Sequence, residues 1–220
     1  MISKNKAFSL IELSIVVLII GILISGVTQG SRLIKASKLQ TAKTLTLSSD
    51  VNSIKDLAMW LETSLDNSVT IDSSSTVTRW NDINPQSMSK INAYNTSEYL
   101  PVYVENVING LPVIKFSGTE KNILVDPNGQ GLRFLARTNF TIFVVDQRVV
   151  SGSLNGKWGM FLGGSESETL ANLQFGYRDD NFIGSHGDYD APGFDWSIPV
   201  TLSATITPRV HTLKFDTTKG

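Results

Sequence analysis

Aspartates gather in one stretch of the chain, between Arg178 and Trp196, where closely spaced acids could bind a cation. Their oxygens are the hard ligands that Ca²⁺ prefers, so the stretch is a candidate ligand or calcium loop made of Asp179, Asp180, Asp188, Asp190 and Asp195. The spacing lacks the alternating acids and terminal Glu of an EF-hand, and turns exposed to solvent are the simpler explanation. The aromatic residues within and beside this stretch suit a sugar ring as well as they suit core packing: Tyr177, Phe182, Tyr189, Phe194 and Trp196.

Residues that could carry catalysis are few. Glu166 and Glu168 would share a face of an extended strand, but they lie in a Gly/Ser-rich stretch. His186 and His211 are the only histidines, and the sequence has no cysteine. Two isolated imidazoles predict neither a zinc site nor a catalytic triad, and His211 is predicted to be an ordinary strand residue. We therefore predict that the protein is not an enzyme.

Glu12 is a carboxylate at the edge of a long apolar run. From Leu13 to Ser31 the chain carries no charge over 19 residues, and as a helix this run spans about 28 Å, close to the hydrocarbon thickness of a bilayer. A carboxylate deep in lipid costs about 2.5–3.5 kcal/mol or more, so Glu12 needs a partner. A cleavable secretory signal and a buried core helix are the alternatives for this run.

The string KAFSLIELSIVVLIIGIL, which starts at Lys6, resembles the N-terminus of type IV pilins and of the pseudopilins of type II secretion. The resemblance implies that a prepilin peptidase removes a leader, residues 1–7, by cutting between Ala7 and Phe8, and that Phe8 is then N-methylated. It also implies that Glu12 pairs with the N-terminal amine of a neighbouring subunit in the filament. The chain departs from the family at Ala7, where Gly is usual, and at Gln29, where many members have Pro.

Localisation and partners follow from the same resemblance. We expect a single-pass precursor in the bacterial inner membrane with its N-terminus in the cytoplasm, and then a pilus or pseudopilus in the periplasm or at the cell surface. The expected partners are the peptidase, membrane lipid and other pilin subunits, identical or different. The positive-inside rule predicts the opposite orientation, because Lys4 and Lys6 precede the span and a larger group of bases follows it: Arg32, Lys35, Lys38 and Lys43.

The predicted secondary structure changes along the chain from helix to strands. Helical spacing of apolar residues continues beyond the span, and residues 51–61 fit either a further helix or, at 57–61, a buried strand. From about residue 69, short β-rich runs predict an antiparallel sandwich: 77–80, 100–104, 111–116, 140–149, 158–162, 173–178, 198–206 and 210–215. The predicted class is α+β, with residues 8–55 as assembly helix and connector and residues 56–220 as the sandwich.

Residues 50–220 carry 13 bases and 19 acids. This excess of acids argues against nucleic acid as a partner.

A second resemblance covers the sandwich. The segments LAMWLETS at 57–64, VTRWNDINPQS at 77–87 and LPVYVENVINGLPVIKFSGTEKNILV at 100–125 look like the opening strands of laminin-G-like domains of the concanavalin A-like lectin/glucanase superfamily. That family implies a jelly roll that binds glycan, protein or Ca²⁺, and Asn109-Gly110 would form a tight turn. The alternative function is therefore an adhesin that binds glycan or matrix, with Ca²⁺ as the candidate cofactor.

A β-glucan hydrolase is the third hypothesis, and the sequence favours it least. The retaining enzymes of this superfamily carry Glu-x-Asp-x-x-Glu on one strand, which sets two carboxyls about 5–5.5 Å apart, and this chain lacks that string. The chain ends at HTLKFDTTKG, which reads as a hairpin without its return strand. We therefore expect either an unusually small sandwich or a domain that continues beyond this sequence.

Overall fold

A long apolar helix precedes a set of antiparallel strands, as the α+β prediction requires. The computed structural model describes residues 9–95, 100–116, 124, 125, 135, 138–148, 158–162, 172–178, 181–187, 196–199 and 207–216. The chain divides into two compact units, residues 1–49 and residues 50–220. We call the second unit the head and describe each unit by itself.

The helix, α1, runs from Leu10 to Leu47 over 38 residues, which corresponds to about 57 Å. It contains no proline, so no backbone donor is missing and nothing interrupts the ladder of hydrogen bonds. The helix therefore continues past the uncharged run, as predicted, and ends at the C-cap Ser48. None of its residues is buried within the chain.

Residues 51–61 form neither the helix nor the strand that their apolar spacing predicts. A short 3-10 helix covers Asp50–Ser53, and Asp56 has a positive φ of 62°, which breaks a regular helix. Side chains from farther along the head donate hydrogen bonds to the backbone carbonyls of this segment instead. The Asn84 side-chain amide donates to the Leu57 carbonyl at 2.6 Å, and Gln86 donates to the carbonyl of Ile54 at 2.8 Å.

Twelve strands are seen in the described part of the head, and every pairing between them is antiparallel. One sheet has the order β1-β2-β3-β6, another β11-β10-β9-β8, and two ribbons pair β12 with β7 and β4 with β5. The bounds are β1 Val69–Ile71, β2 Val77–Trp80, β3 Ala93–Asn95, β4 Val102–Ile108, β5 Leu111–Lys115, β6 Leu124–Val125, β7 Phe140–Asp146, β8 Trp158–Leu162, β9 Asn172–Arg178, β10 Asn181–Gly187, β11 Trp196–Pro199 and β12 Arg209–Phe215.

The core of the head lies where β9 packs against the β7–β12 ribbon. Phe175 and Tyr177 of β9 are buried, and hydrophobic side chains from both layers pack against them: Ile142, Val144, Phe161 and Leu213. The Phe161 ring contacts both aromatic rings, with centroid distances of 5.7 Å to Phe175 and 5.6 Å to Tyr177. Alternate residues of β7 and β12 point into this core, which is the arrangement expected of one layer of a sandwich.

The tight turn predicted at Asn109-Gly110 is confirmed. Ile108 pairs with Leu111 across the turn, and the φ angles of Asn109 and Gly110 are 54° and 82°. Positive φ at both central positions defines a type I′ turn, whose twist matches that of the flanking strands. Asn tolerates this conformation and Gly adopts it freely, which explains why this dipeptide joins β4 to β5.

Candidate functional site

Glu12 lies in the first turn of α1 and is bonded to the residue that caps the helix. Its Oε2 accepts a hydrogen bond from the Ser9 backbone N–H at 2.9 Å, which is the acidic half of a capping box. Ser9 has extended backbone angles, φ −69° and ψ 142°, and its carbonyl accepts the Leu13 N–H. The negative charge also suits the positive end of the helix dipole. The structure thus places the carboxylate at the very start of the helix.

The apolar stretch of α1 is uncovered on all sides within its own unit. Its Leu, Ile and Val side chains from Leu10 to Val27 are all exposed, and in the described residues one helix is long and apolar enough to cross a membrane. Two hydroxyl groups here are satisfied within the helix, since Ser14 and Thr28 donate to the carbonyls of Ile11 and Ile24. Such a helix is stable only in lipid or against other apolar helices.

The head contains a polar cluster at one end of its core, which we call the Asp146 cluster: Asp146, Tyr177 and His211. His211 Nε2 lies 2.6 Å from Asp146 Oδ1 and 3.0 Å from the Tyr177 hydroxyl oxygen. The Tyr177 hydroxyl is also 3.4 Å from Asp146 Oδ2. The side chains of Asp146 and His211 are only 13% and 14% exposed to solvent.

The prediction that His211 is an ordinary strand residue is therefore incomplete. The residue lies in β12 as expected, but the antiparallel register places it opposite Val144 and next to the last residue of β7, Asp146. The sequence could not show this, because 65 positions separate the two side chains and only the strand register brings them together.

The electrostatics of the Asp146 cluster favour the protonated form of the Tyr177 hydroxyl. Burial raises the pKa of Tyr177 above its usual range, and the negative charge of Asp146 acts in the same direction. The Arg148 guanidinium lies 5.3 Å from the centre of the Tyr177 ring, a favourable cation–π distance.

A second buried carboxylate, Asp82, organises the segment WNDINPQS. Only 4% of Asp82 is exposed, and its Oδ1 accepts backbone N–H groups of Trp60 and Asn84 at 2.9 and 3.0 Å. Its Oδ2 accepts the Ile91 N–H at 3.1 Å. Backbone donors therefore engage both oxygens, which makes Asp82, directly after Trp80-Asn81, an anchor of the fold.

Other predicted site residues lie outside the described residues: Ala7, Phe8, Glu166, Glu168, Asp179, Asp180, Asp188, Asp190 and Asp195. Within the candidate calcium loop, however, Asn181–Gly187 forms the strand β10, and the binding of a ligand or Ca²⁺ by the flanking aspartates stays a prediction. β10 pairs with β9 over its full length, from Asn181 opposite Arg178 to Gly187 opposite Asn172, and it carries the chain about 20 Å. The sequence pattern did not predict this strand, because the acids on either side of it suggested a loop.

Comparison with known proteins identifies the start of the chain. Residues 2–28 match the prokaryotic N-terminal methylation motif. This motif supports a type IV pilin or pseudopilin subunit that is processed by prepilin peptidase, assembles with other pilins and begins as an inner-membrane-anchored precursor. No curated protein and no solved structure matches the chain. The matched region contains Ala7, Phe8 and Glu12.

Proposed function

We propose that this protein is a filament subunit of a type IV pilus or a secretion pseudopilus, in which α1 is the assembly element. The observation that carries the proposal is the position of Glu12, a carboxylate in the first turn of a helix whose apolar surface has no cover in its own unit. Lipid can cover that surface before assembly, and the helices of neighbouring subunits can cover it afterwards.

The proposed role of Glu12 is to set the axial register between subunits. After cleavage before Phe8, the new N-terminal amine of one subunit would pair with the Glu12 carboxylate of its neighbour. In an apolar bundle this attraction is strong, whereas removing one member leaves a buried, unpaired charge. The bond from the Ser9 N–H occupies one Glu12 oxygen, so the other oxygen is the one we assign to the neighbour's amine.

Leader processing tests the first step of this proposal. Mass spectrometry of the chain from cells with and without prepilin peptidase should show a mature protein that begins at methylated Phe8 only when the peptidase is present. A chain that keeps Met1 in both strains would refute the proposal. A cut between Ser25 and Gly30 would instead indicate a secretory signal.

Assembly tests the second step. Glu12→Ala should be processed normally but should remain in the membrane fraction, because an unpaired amine in the bundle costs several kcal/mol. Asp50→Asn is the matched control, since it removes an exposed acid that lies beyond α1, and it should assemble like the parent. Equal assembly of Glu12→Ala and the parent would eliminate the role of the carboxylate.

We further propose that the head is displayed for surface contact and is lectin-like. Support comes from the two-layer antiparallel packing around Phe175 and from the confirmed β4–β5 hairpin in the segment that resembles laminin-G-like domains. A glycan array probed with the full-length chain in detergent, with and without a chelator, tests this display. Binding that the chelator abolishes would support a Ca²⁺-dependent adhesin, and no binding would leave a purely structural head. Catalysis is not part of the proposal.

A further inference from the structure

The face of the β7–β12 ribbon that points away from the core is apolar and exposed. We call it the outer face and define it by the alternate residues of the two strands: Thr141, Phe143, Val145, Val210, Thr212 and Lys214. Phe143, Val145 and Val210 are 70%, 62% and 69% exposed. Val145 is directly opposite Val210, and Phe143 is opposite Thr212, so the three apolar side chains adjoin one another.

This pattern differs from that of an ordinary surface strand. A sheet with one face in solvent alternates between apolar and polar residues, whereas a strand covered on both sides reads as a continuous apolar run. β7 has the sequence FTIFVVD, and its inward residues Ile142 and Val144 already pack in the core. Adjoining exposed apolar side chains of this kind mark interaction surfaces.

We propose that the outer face binds the head of a second copy of this chain, and that the contact forms only when α1 has assembled the copies. This inference rests on the proposed function. Three side chains fall well short of the roughly 800 Å² per partner that a stable complex buries, even though an aromatic ring can bury about 150–250 Å². Tethering by α1 supplies what the area lacks, because it makes the second contact intramolecular at a high effective concentration.

Charge also distinguishes this face from the rest of the head. Residues 50–220 carry six more acids than bases, so two heads repel each other over most approaches. The outer face has no acid, and Lys214 is its one charged residue, located opposite Thr141 at the end of the ribbon away from Val145 and Val210. Two heads that meet at this face therefore bring no acid of the outer face into contact with another acid of that face.

A polarity-sensitive dye on a single cysteine tests the inference, since the chain has no cysteine of its own. The dye is attached to Thr212→Cys, beside Phe143 on the outer face, and in a matched control to Ser73→Cys, which is exposed between β1 and β2. The purified, processed full-length chain is measured dispersed in detergent and then in lipid vesicles at high protein density. Chemical cross-linking reports association independently of the dye.

We expect the Thr212 dye to shift to the blue and its collisional quenching to fall several-fold on association, while the Ser73 dye is unchanged. Val210→Lys should restore the exposed signal without preventing association. An associated chain with an exposed Thr212 dye would overturn the inference and leave the proposed function standing. A dye shielded already in the dispersed chain, or only after another protein is added, would also overturn it. A chain that fails to associate would overturn the inference, whereas leader processing and the assembly of Glu12→Ala test the proposed function separately.

Discussion

Replacing Asp82 with Asn should destabilise the head far more than the same change at Asp72. Asp82 uses both carboxylate oxygens, with Trp60 and Asn84 N–H groups on Oδ1 and the Ile91 N–H on Oδ2. Asn has one acceptor oxygen and places an NH₂ group where the other oxygen was. In either orientation at least one buried N–H group then faces another donor.

The size of the effect follows from those contacts. A hydrogen bond to a charged acceptor contributes about 1.5–3 kcal/mol, and a buried donor left unsatisfied costs about 1–3 kcal/mol. We therefore expect Asp82→Asn to lower the free energy of unfolding by about 2–5 kcal/mol. Asp72 is the matched control, because a single oxygen, Oδ1, accepts both the Ser74 and the Thr76 N–H groups. Asn can keep that oxygen in place, and the site is exposed.

Urea unfolding of the full-length chain in a non-denaturing detergent, followed by tryptophan fluorescence, measures both variants. Trp60 donates its backbone N–H to Asp82, and the Trp80 indole donates to the Glu62 carbonyl at 2.7 Å, so two fluorophores lie near the anchor. The reasoning would be refuted if Asp82→Asn unfolded at the urea midpoint of the parent, or if the two variants lost equal stability.

The remaining predictions concern pH, the β4–β5 turn and the start of α1. Hydrogen bonds from the Thr76 and Ser74 backbone lower the pKa of Asp72 in the folded chain. Its contribution to folding stability is therefore present above the unfolded pKa of about 3.9 and is lost as pH falls through the lower folded pKa. Unfolding curves of Asp72→Asn at decreasing pH should lack that loss of stability. Because burial raises the pKa of Tyr177, the unfolded chain ionises first, and stability should fall as pH rises above about 10; Tyr177→Phe should flatten this alkaline limb in a pH series of unfolding curves. Gly110→Ala should cost about 1–2 kcal/mol in thermal unfolding, because φ is 82° there and a side chain is strained in that conformation. Ser9→Pro removes the N–H that Glu12 accepts while fitting the φ of −69°, so it should reduce assembly more than Ser9→Ala, provided that mass spectrometry shows equal cleavage of both.

Local patterns predicted those elements of the fold that local physics determines. The uncharged run from Leu13 predicted the helix, since no proline or charge interrupts it, and β2 and β8 have the bounds that their β-rich runs predicted. Asn109-Gly110 predicted its turn for the same reason, because the required backbone angles belong to those two residue types.

The failures involve long-range interactions. Residues 51–61 have helical spacing, but Asn84 and Gln86 satisfy their backbone from more than 25 positions away, and a local pattern contains no trace of that. The Asp146 cluster depends on the β7–β12 register, and the sequence alone does not determine which strands pair. β10 was obscured because its flanking aspartates suggested a loop, although pairing with β9 and β11 makes Asn181–Gly187 an interior strand.

The two units satisfy their polar groups in different ways, and this difference supports a division of roles. In the head, two largely buried acids are bonded to partners far along the chain, Asp82 to Trp60 and Asp146 to His211, so the head has a core and anchors of its own. In α1 the Glu12 carboxylate and the Thr28 hydroxyl bond within about one turn, and the Leu, Ile and Val side chains from Leu10 to Val27 are exposed. The helix therefore requires an external apolar environment, and in the proposed filament the neighbouring helices would supply both that environment and a partner for Glu12.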